Sequence, residues 1–306
     1  MRRIPIAIIK KKVAELCKKA NWELREDVKE ALGRALKNET NRRARKILKA
    51  ILENAGVAAT ERLAICQDTG LPVVFVEVGQ KVLISGGNLK TAINTAVAAA
   101  YRKSSLRNSI IPDPLKRKSP GFGPAIIHTE IVPGEKIKLT VLPKGFGCEN
   151  KSQLKMFLPT ASIEEIRRFI VESVKKAGPD ACPPYVVGVG IGGTADYASL
   201  LAKKALLRNI DQRPKTKDQR LAAELLREIN KLNLGPMGLG GKTTCLAVNI
   251  ETFPTHLAGL PVAVNISCHA LRSATAIIYG VVLLSRKTIR KKGGNFDSRR
   301  DKKHQN

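Results

Sequence analysis

Aromatic residues are scarce in this 306-residue chain, which has one Trp, four Tyr and seven Phe, together 4% of the sequence. Hydrophobic residues still make up 43% of it, so the core must consist mostly of Val, Ile, Leu and Ala, as buried strands and helices often do. A chain of this length and apolar content can bury a large core, in one domain or in two.

Long apolar runs are also missing, and none reaches the roughly 18 residues of a membrane span. The chain begins MRRIPIAIIKKK, which is basic, but its apolar stretch is too short for a signal peptide and no cleavage-like site follows. We therefore expect a soluble, cytoplasmic protein with no membrane partner. Its six cysteines are then expected to be free thiols or metal ligands rather than disulfides.

Acidic residues are few, because 26 Asp and Glu stand against 54 Lys and Arg, and the formal net charge is +28. A nucleic-acid partner would explain this excess, since clustered basic side chains release counterions from phosphates. The basic residues are instead dispersed, with a dense run only near the C-terminus and no nucleic-acid-binding motif. We favour charges solvated on helix faces, whose field would also attract a small dicarboxylate.

Hydrophobic periodicity predicts the secondary structure. Apolar residues at intervals of three and four predict a helical N-terminal segment that stops near Asn54-Ala55-Gly56. Strands are predicted at LPVVFVEVG, PAIIHTEIV, KIKLTVLP, PYVVGVGIGG, TCLAVNIET and LPVAVNIS, and helices at NLKTAINTAVAAAYRKSS, IEEIRRFIVESVKKAG, ADYASLLAKKALL and DQRLAAELLREINKL. This mixture predicts an α/β or α+β fold, with mixed sheets surrounded by helices in a single large domain over residues 1–288. Residues 289–306, polar and basic, are predicted to be a disordered tail.

Two glycine-rich segments look like nucleotide-binding loops. Gly188, Gly190 and Gly193 satisfy G-x-G-x-x-G between a predicted strand and a predicted helix. No strand ending in an acidic residue follows about 20 residues later, so a dinucleotide site is disfavoured, and such a turn can equally offer N–H groups to a carboxylate. In GPMGLGGKTT, Pro236 stands where a phosphate-binding loop needs its first glycine, so ATP binding is rejected.

Three cysteines lie in separate turn-like segments: Cys66 in ICQDTG, Cys182 in ACPPY and Cys268 in NISCHA. Intervals of 116 and 86 residues exclude a local zinc-finger loop and suit a site that folding assembles. Three thiolates are one short of the four that close a zinc or iron–sulfur site. A cluster held by three cysteines would leave one iron free for substrate.

Three further cysteines and two histidines are weaker candidates. Cys148, in the glycine-rich turn GFGCENKS, is a reserve ligand. Cys17 and Cys245 fall in a predicted helix and a predicted strand and are expected to be small packing residues. His128 ends a strand-like stretch and is expected to be structural, whereas His256 lies in the turn PTHLAG, where an exposed imidazole is easier to use.

Together these segments resemble class I (iron–sulfur) fumarate hydratase, specifically the alpha subunit of the two-subunit form and the related L-tartrate dehydratase alpha subunit. The resemblance runs from about residue 5 to 285. It rests on ICQDTGLPVVFVEVG, LRNSIIPDPL, KGFGCENKS, CPPYVVGVGIGGTADYASLLAKKALL and GPMGLGGKTTCLAVNIETFPTHLAGLPVAVNISCHA. The chain departs from the family in two places. Phe146 and Cys148 stand where the family usually has glycine and serine, and a shortened KRKSPGFGP follows the DPL segment.

The resemblance implies a metal centre and its chemistry. It implies a [4Fe-4S] cluster on Cys66, Cys182 and Cys268, whose open iron acts as a Lewis acid on substrate. The implied activity is that of a hydro-lyase, the reversible hydration of fumarate to L-malate. Dehydration of L-tartrate or another 2-hydroxy dicarboxylate is the first alternative. A basic nucleic-acid-binding protein on an inactive scaffold is the second.

The resemblance also implies the substrate residues. Arg107 would clamp a substrate carboxylate, because a guanidinium fork matches it well. Gln67 and the backbone N–H of Gly147 would bind substrate. Asp68 and His256 would be the catalytic residues, Asp68 by orienting reacting groups and His256 by holding the second carboxylate or relaying a proton.

A partner subunit is implied too. In this family a second domain, a separate beta subunit in the two-chain form, supplies further active-site residues that include the proposed base. This chain is therefore expected to be half of an enzyme, in an α2β2 assembly with a beta subunit.

Overall fold

Helices and strands alternate along most of the chain in the computed structural model, which describes residues 1–210 and 217–282. The predicted tail, residues 289–306, lies outside the described residues. The helices are α1 (Ile6–Trp22), α2 (Glu26–Asn38), α3 (Arg42–Glu61), α4 (Leu89–Lys103), α5 (Phe146–Glu149), α6 (Ile163–Ala177), α7 (Ala195–Ala205) and α8 (Lys217–Asn230). The strands are β1 (Arg2–Pro5), β2 (Leu71–Gly79), β3 (Val82–Ser85), β4 (Ile126–Val132), β5 (Lys136–Lys144), β6 (Gln153–Phe157), β7 (Tyr185–Gly193), β8 (Cys245–Thr255), β9 (Leu260–Ser267), β10 (Ala274–Tyr279) and β11 (Val281–Val282).

Within the described residues the strands form three sheets. A small sheet has the order β11-β1-β3, and two four-stranded sheets have the orders β10-β5-β2-β4 (the β2 sheet) and β6-β9-β7-β8 (the β7 sheet). In the β2 sheet β2 is parallel to β4, and in the β7 sheet β7 is parallel to β8, while the other neighbours are antiparallel. The prediction of mixed sheets and helices in one domain is confirmed.

Both faces of β2 are buried, which explains its nearly continuous apolar sequence. Val74 and Val76 lie in a cluster with α1 and α4 on one side of the β2 sheet. Val73 and Phe75, which point the other way, lie in a second cluster with Val186 of the β7 sheet. A third cluster packs α6 and α8 against the β7 sheet. The second cluster therefore joins the two large sheets.

Close packing of α7 on β7 explains the G-x-G-x-x-G pattern. A Cβ added to Gly188 would lie 2.1 Å from the carbonyl oxygen of Ala202, and one added to Gly190 would lie 2.0 Å from that of Ala198. Only glycine allows the helix backbone to come this close to the strand. Helix packing therefore accounts for these two glycines.

The turn in GPMGLGGKTT holds a carboxylate of the same chain. Glu39 is 3% exposed, and its Oε2 accepts a hydrogen bond from the backbone N–H of Lys242 at 2.7 Å. Its Oε1 accepts from the N–H groups of Thr40 and Asn41, both at 2.9 Å. A buried carboxylate needs such donors. The turn thus ties the α2–α3 connection to the segment before β8.

Two details differ from the sequence predictions. The helix stop at Asn54-Ala55-Gly56 is wrong, because α3 continues to Glu61 and the chain leaves the helix at Arg62, whose φ is 56°. Gly56 is exposed and makes no close contact there, so a helix passes through it at modest cost. The short strands β1, β3, β6 and β10 were not predicted, since four to six residues hold too little periodicity.

None of the described helices combines the length and the apolar character needed to cross a bilayer.

We expect Gly190→Ala to destabilise the protein, because its Cβ would force α7 away from β7. Overpacking of this kind costs about 1–3 kcal/mol or more, measurable as a fall in melting temperature. Gly33→Ala in α2 is the matched control, because an added Cβ there meets nothing within 4 Å. That change should leave stability equal or raise it by up to about 1 kcal/mol. Equal shifts for the two variants would contradict the close packing.

Candidate functional site

Cys182 and Cys268 come together at one end of the β7 sheet. Cys182 precedes β7 and Cys268 follows β9, and the antiparallel pairing of Val186 with Ser267 places both at the same end. The backbone N–H of His269 donates to the carbonyl oxygen of Cys182 at 3.4 Å, and its Nδ1 lies 3.0 Å from that oxygen. Two segments 86 residues apart are thus hydrogen-bonded directly beside the thiols.

Cys66 reaches the same place from the end of α3. The N–H of Ile65 donates to the carbonyl of Asn21, and the carbonyl of Ile65 accepts from Asn54, both at 2.9 Å. Cys66 and Cys268 pack against one small apolar cluster that includes Ile65. All three cysteines are partly exposed as residues. The predicted assembly of the three segments is therefore present in the fold.

The thiols are close enough to affect each other's ionisation. Burial raises the pKa of Cys182, and the neighbouring Cys268 and Cys66 raise it further, because like charges oppose each other. The pKa of Cys268 lies well below its ordinary value, because Cys148 hydrogen-bonds to it and His269 and Arg272 are nearby. Without a bound cation, the three cysteines therefore favour a single thiolate, because each further negative charge would be repelled by the first.

Asp68 joins three segments of the site. Its Oδ1 accepts from the N–H of Gly70 at 2.9 Å and its Oδ2 from the N–H of Phe146 at 2.8 Å. Its backbone carbonyl accepts from the guanidinium of Arg272. One residue therefore connects the Cys66 segment to the turn that carries Gly147 and to the segment after Cys268.

Arg272 is a site residue that the sequence analysis missed. It is 3% exposed, and it donates to the carbonyl of Asp68 and, at 3.3 Å, to that of Ala270. Its Nε is buried and has no hydrogen-bond partner among the described residues. A buried cation with an unused donor is costly, so an anion beside it would stabilise the site. The sequence offers one indication of this role, because Arg272 follows Cys268 by only four residues.

The remaining predicted substrate residues border the thiols. The backbone N–H of Arg107 donates to Thr69 Oγ1 at 3.1 Å, which holds the LRNSIIPDPL loop beside Asp68. The Arg107 side chain is exposed, and so are Gln67 and Gly147. These three residues are therefore accessible to a small molecule at the surface.

His256 lies elsewhere in this chain. It follows β8, where Thr255 pairs with Gly193 at the end of β7 remote from Cys182. From there β9 runs eight residues back towards Cys268, a distance of about 26 Å. Its exposed ring accepts a hydrogen bond from the N–H of Ala258 at 3.2 Å. The fold therefore does not bring His256 to the thiols of its own chain.

The other candidates lie in packed surroundings. Cys148 is buried, and its Sγ lies 3.3 Å from the carbonyl oxygen of Ala181. Cys17 and Cys245 lie in the two main apolar clusters. His128 stacks on Phe75 with ring centroids 5.1 Å apart. Its pKa is lowered by burial and by Lys203 and Lys204, as expected of a structural imidazole.

The types and positions of the candidate ligands decide which kind of metal centre could bind here. No group of three His, Cys, Asp or Glu in the described parts of the chain is arranged to hold a single ion. In an iron–sulfur cluster each cysteine binds a different iron, so its thiols need not converge on one point. Three thiols, beside an Arg272 donor that has no partner in the described part of the chain, suit such an anionic centre.

The chain matches the fumarate hydratase (Fumerase) family over residues 10–277. It is similar to a Methanocaldococcus jannaschii protein provisionally named L(+)-tartrate dehydratase subunit alpha, with 42% identity over 270 residues that cover 86% of this chain and 94% of that protein. It is also similar to the L(+)-tartrate dehydratase subunits alpha of Escherichia coli strain K12 and Shigella boydii serotype 4. Each is 30% identical over 272 residues, which cover 87% of this chain and 89% of the relative.

We expect the thiols of the metal-free chain to react with iodoacetamide in two groups. Burial raises the pKa of Cys17 and of Cys245 to about 12, which lowers their thiolate fraction at pH 8 by about a thousand-fold relative to an ordinary thiol. Peptide mass spectrometry should find Cys66 and Cys182 labelled long before these two. In urea all should label alike, and early labelling of Cys17 in the folded chain would contradict the burial.

Proposed function

The chain belongs to the fumarate hydratase family, and from this premise we propose that it is the alpha subunit of an iron–sulfur hydro-lyase that acts on a four-carbon dicarboxylate. The observation that carries the proposal is the convergence of Cys66, Cys182 and Cys268 beside the unpartnered Nε of Arg272. A nucleic-acid-binding function would leave these assembled thiols unexplained. Free thiols need reducing surroundings, which supports a cytoplasmic location.

Cys66, Cys182 and Cys268 would hold a [4Fe-4S] cluster. When bound, that cluster would supply a Lewis acid at the iron that has no protein ligand. Arg272 would compensate its negative charge from behind, since the Nε donor has no other partner among the described residues. Its contact with the carbonyl of Asp68 would hold the Gln67–Asp68 segment against the thiols.

The chain's own side chains would bind and orient the substrate. The exposed guanidinium of Arg107 would grip a carboxylate in a bidentate pair. Gln67 and the N–H of Gly147 would hydrogen-bond the rest of the substrate. Asp68 accepts one hydrogen bond at each carboxylate oxygen, and each oxygen keeps a lone pair that can accept a substrate hydroxyl proton.

A second chain is needed to complete the reaction. The relatives are named as alpha subunits, which supports a beta subunit partner that supplies the proton-abstracting base. We propose an α2β2 assembly. Because His256 lies about 26 Å along β9 from Cys268, its proposed role requires a site that belongs to another copy of this chain.

Two substrates remain as candidates. Hydration of fumarate to L-malate is supported by the family's description as fumarate hydratase. Dehydration of L-tartrate is favoured by the names of the relatives. Both substrates offer two carboxylates at similar separation to the same clamps.

Serine at position 66, 182 or 268 should abolish cluster incorporation. A cluster that loses one of its three anchors has no fourth thiolate to keep it in place. Iron and sulfide assays after anaerobic reconstitution should fall from near four per chain to near none. Cys17→Ala and Cys245→Ala are the controls and should retain the cluster. Full iron loading in Cys182→Ser would overturn the assignment and point to Cys148.

We expect the isolated chain to be nearly inactive and a matching beta subunit to restore turnover. A missing general base typically costs about 10²–10⁴-fold in rate. Anaerobic assays with fumarate, L-malate and L-tartrate on the co-expressed enzyme would compare kcat/KM for the candidate substrates. Rapid turnover of any of them by this chain alone would refute the two-chain assignment.

A further inference from the structure

Lys144 is a buried cation that the mechanism above does not use. It is the last residue of β5, and its side chain is 2% exposed. Lysine is almost never fully buried unless it is paired. Its Nζ donates to the carbonyl oxygen of Ile266 at 2.9 Å and lies 3.2 Å from Glu149 Oε2. One ammonium group thus holds two distant parts of the chain.

Both partners belong to segments of the candidate site. Glu149 ends α5, the short helix that carries Gly147 and whose Phe146 N–H binds Asp68. Ile266 lies in β9, two residues before Cys268. Because β5 belongs to the β2 sheet and β9 to the β7 sheet, Lys144 connects the two sheets at the end where the thiols gather.

A second link runs alongside the first. The carboxylate of Glu149 also accepts from Asn265 Nδ2 at 3.1 Å and pairs with Lys203 Nζ at 2.5 Å. Burial alone would raise the pKa of Glu149, but Lys144 and Lys203 outweigh it and the pKa lies below the ordinary value. Glu149 is therefore ionised at neutral pH. It binds α5 to β9 directly through Asn265 and indirectly through Lys144, which contacts the carbonyl of Ile266.

The Cys66 segment is fixed to the same point by close packing. Leu71 stands opposite Lys144 in the ladder between β2 and β5. A Cβ on Gly70 would lie 2.7 Å from the carbonyl carbon of Pro143 and 2.8 Å from the backbone nitrogen of Lys144. Lys144 therefore lies where the segments of Cys66, Gly147 and Cys268 meet.

We propose that Lys144 is a positioning residue, which acts through Glu149 and the Ile266 carbonyl to fix the substrate-binding turn at Gly147 relative to Cys268. The proposal rests on the proposed function for the nature of the cluster and substrate. The tether itself rests on contacts within this chain alone.

The first test is Lys144→Met, because methionine has a similar length and no charge. In the anaerobically reconstituted enzyme with its beta subunit, kcat should fall at least about ten-fold while KM changes less, since misplacement by about 1 Å can cost a hundred-fold in rate. Release of iron to a chelator should be at least ten-fold faster than in the unchanged protein.

A double variant separates positioning from the loss of one of the two lysines that pair with the Glu149 carboxylate. Lys144→Met/Glu149→Gln leaves neither charge of this pair, and Lys203, whose side chain is 20% exposed, can be solvated. The melting temperature of the metal-free chain should therefore return towards that of the unchanged protein. The low kcat and the fast iron release should remain. If Lys144→Met does not fold, this double variant carries the test.

Lys203→Met is the matched control. Lys203 pairs with the same Glu149 but extends from α7 and makes no described contact with β9 through its side chain. Iron release and kcat should stay within about two-fold of the unchanged protein. A loss as large as that of Lys144→Met, or normal kcat and iron retention in the double variant, would overturn the proposal.

A measurement without metal keeps the two proposals apart. If the unchanged protein bound no iron, the proposed function would fail, but hydrogen exchange of the metal-free chain would still test the tether. Residues 145–149 and 266–269 should exchange at least ten-fold faster in the double variant, and α1 and α4 at unchanged rates. Unchanged exchange in both segments would overturn the role of Lys144.

Discussion

The site depends on the hydrogen bonds that converge on Asp68. Its two carboxylate oxygens accept backbone N–H groups from its own segment and from the turn at Phe146, and its carbonyl accepts from buried Arg272. The contact with Phe146 leads to the turn that carries Gly147, and the contact with Arg272 leads to the segment after Cys268. A single short acidic side chain can do this because the carboxylate presents its oxygens in two directions. The arrangement explains why segments far apart in sequence keep a fixed relation without a disulfide.

Internal carboxylates recur where distant segments of this chain meet. Glu39 occupies the turn before Lys242, and Glu149 lies between two lysines beside the thiols. Glu39 accepts backbone N–H groups, whereas Glu149 is the counterion of the two lysines. The exposed pairs along helices, such as Lys19–Glu23, Lys29–Glu26 and Lys49–Glu53, contribute little to stability by comparison.

The sequence was sufficient for most of the fold and for part of the site. The strand β2 and the helices α4 and α6 follow directly from periodicity, and the three cysteines were recognised because turn residues flank them. Arg272 was missed because nothing local separates a buried arginine from a solvated one. Its burial depends on Asp68, which is 204 residues away. The position of His256 depends on the direction of β9, which periodicity does not determine.

The helices before residue 62 are part of this domain rather than a separable extension. Asn21 holds the residue before Cys66, and the Glu39 carboxylate fills the turn that precedes β8. Arg25 donates to the carbonyls of Leu206 and Arg208 at the end of α7, both at 2.7 Å. A fragment that began after α3 would therefore expose the apolar face beneath Cys66 and leave several backbone groups unpaired. The helices before residue 62 therefore cannot be truncated without disrupting the domain.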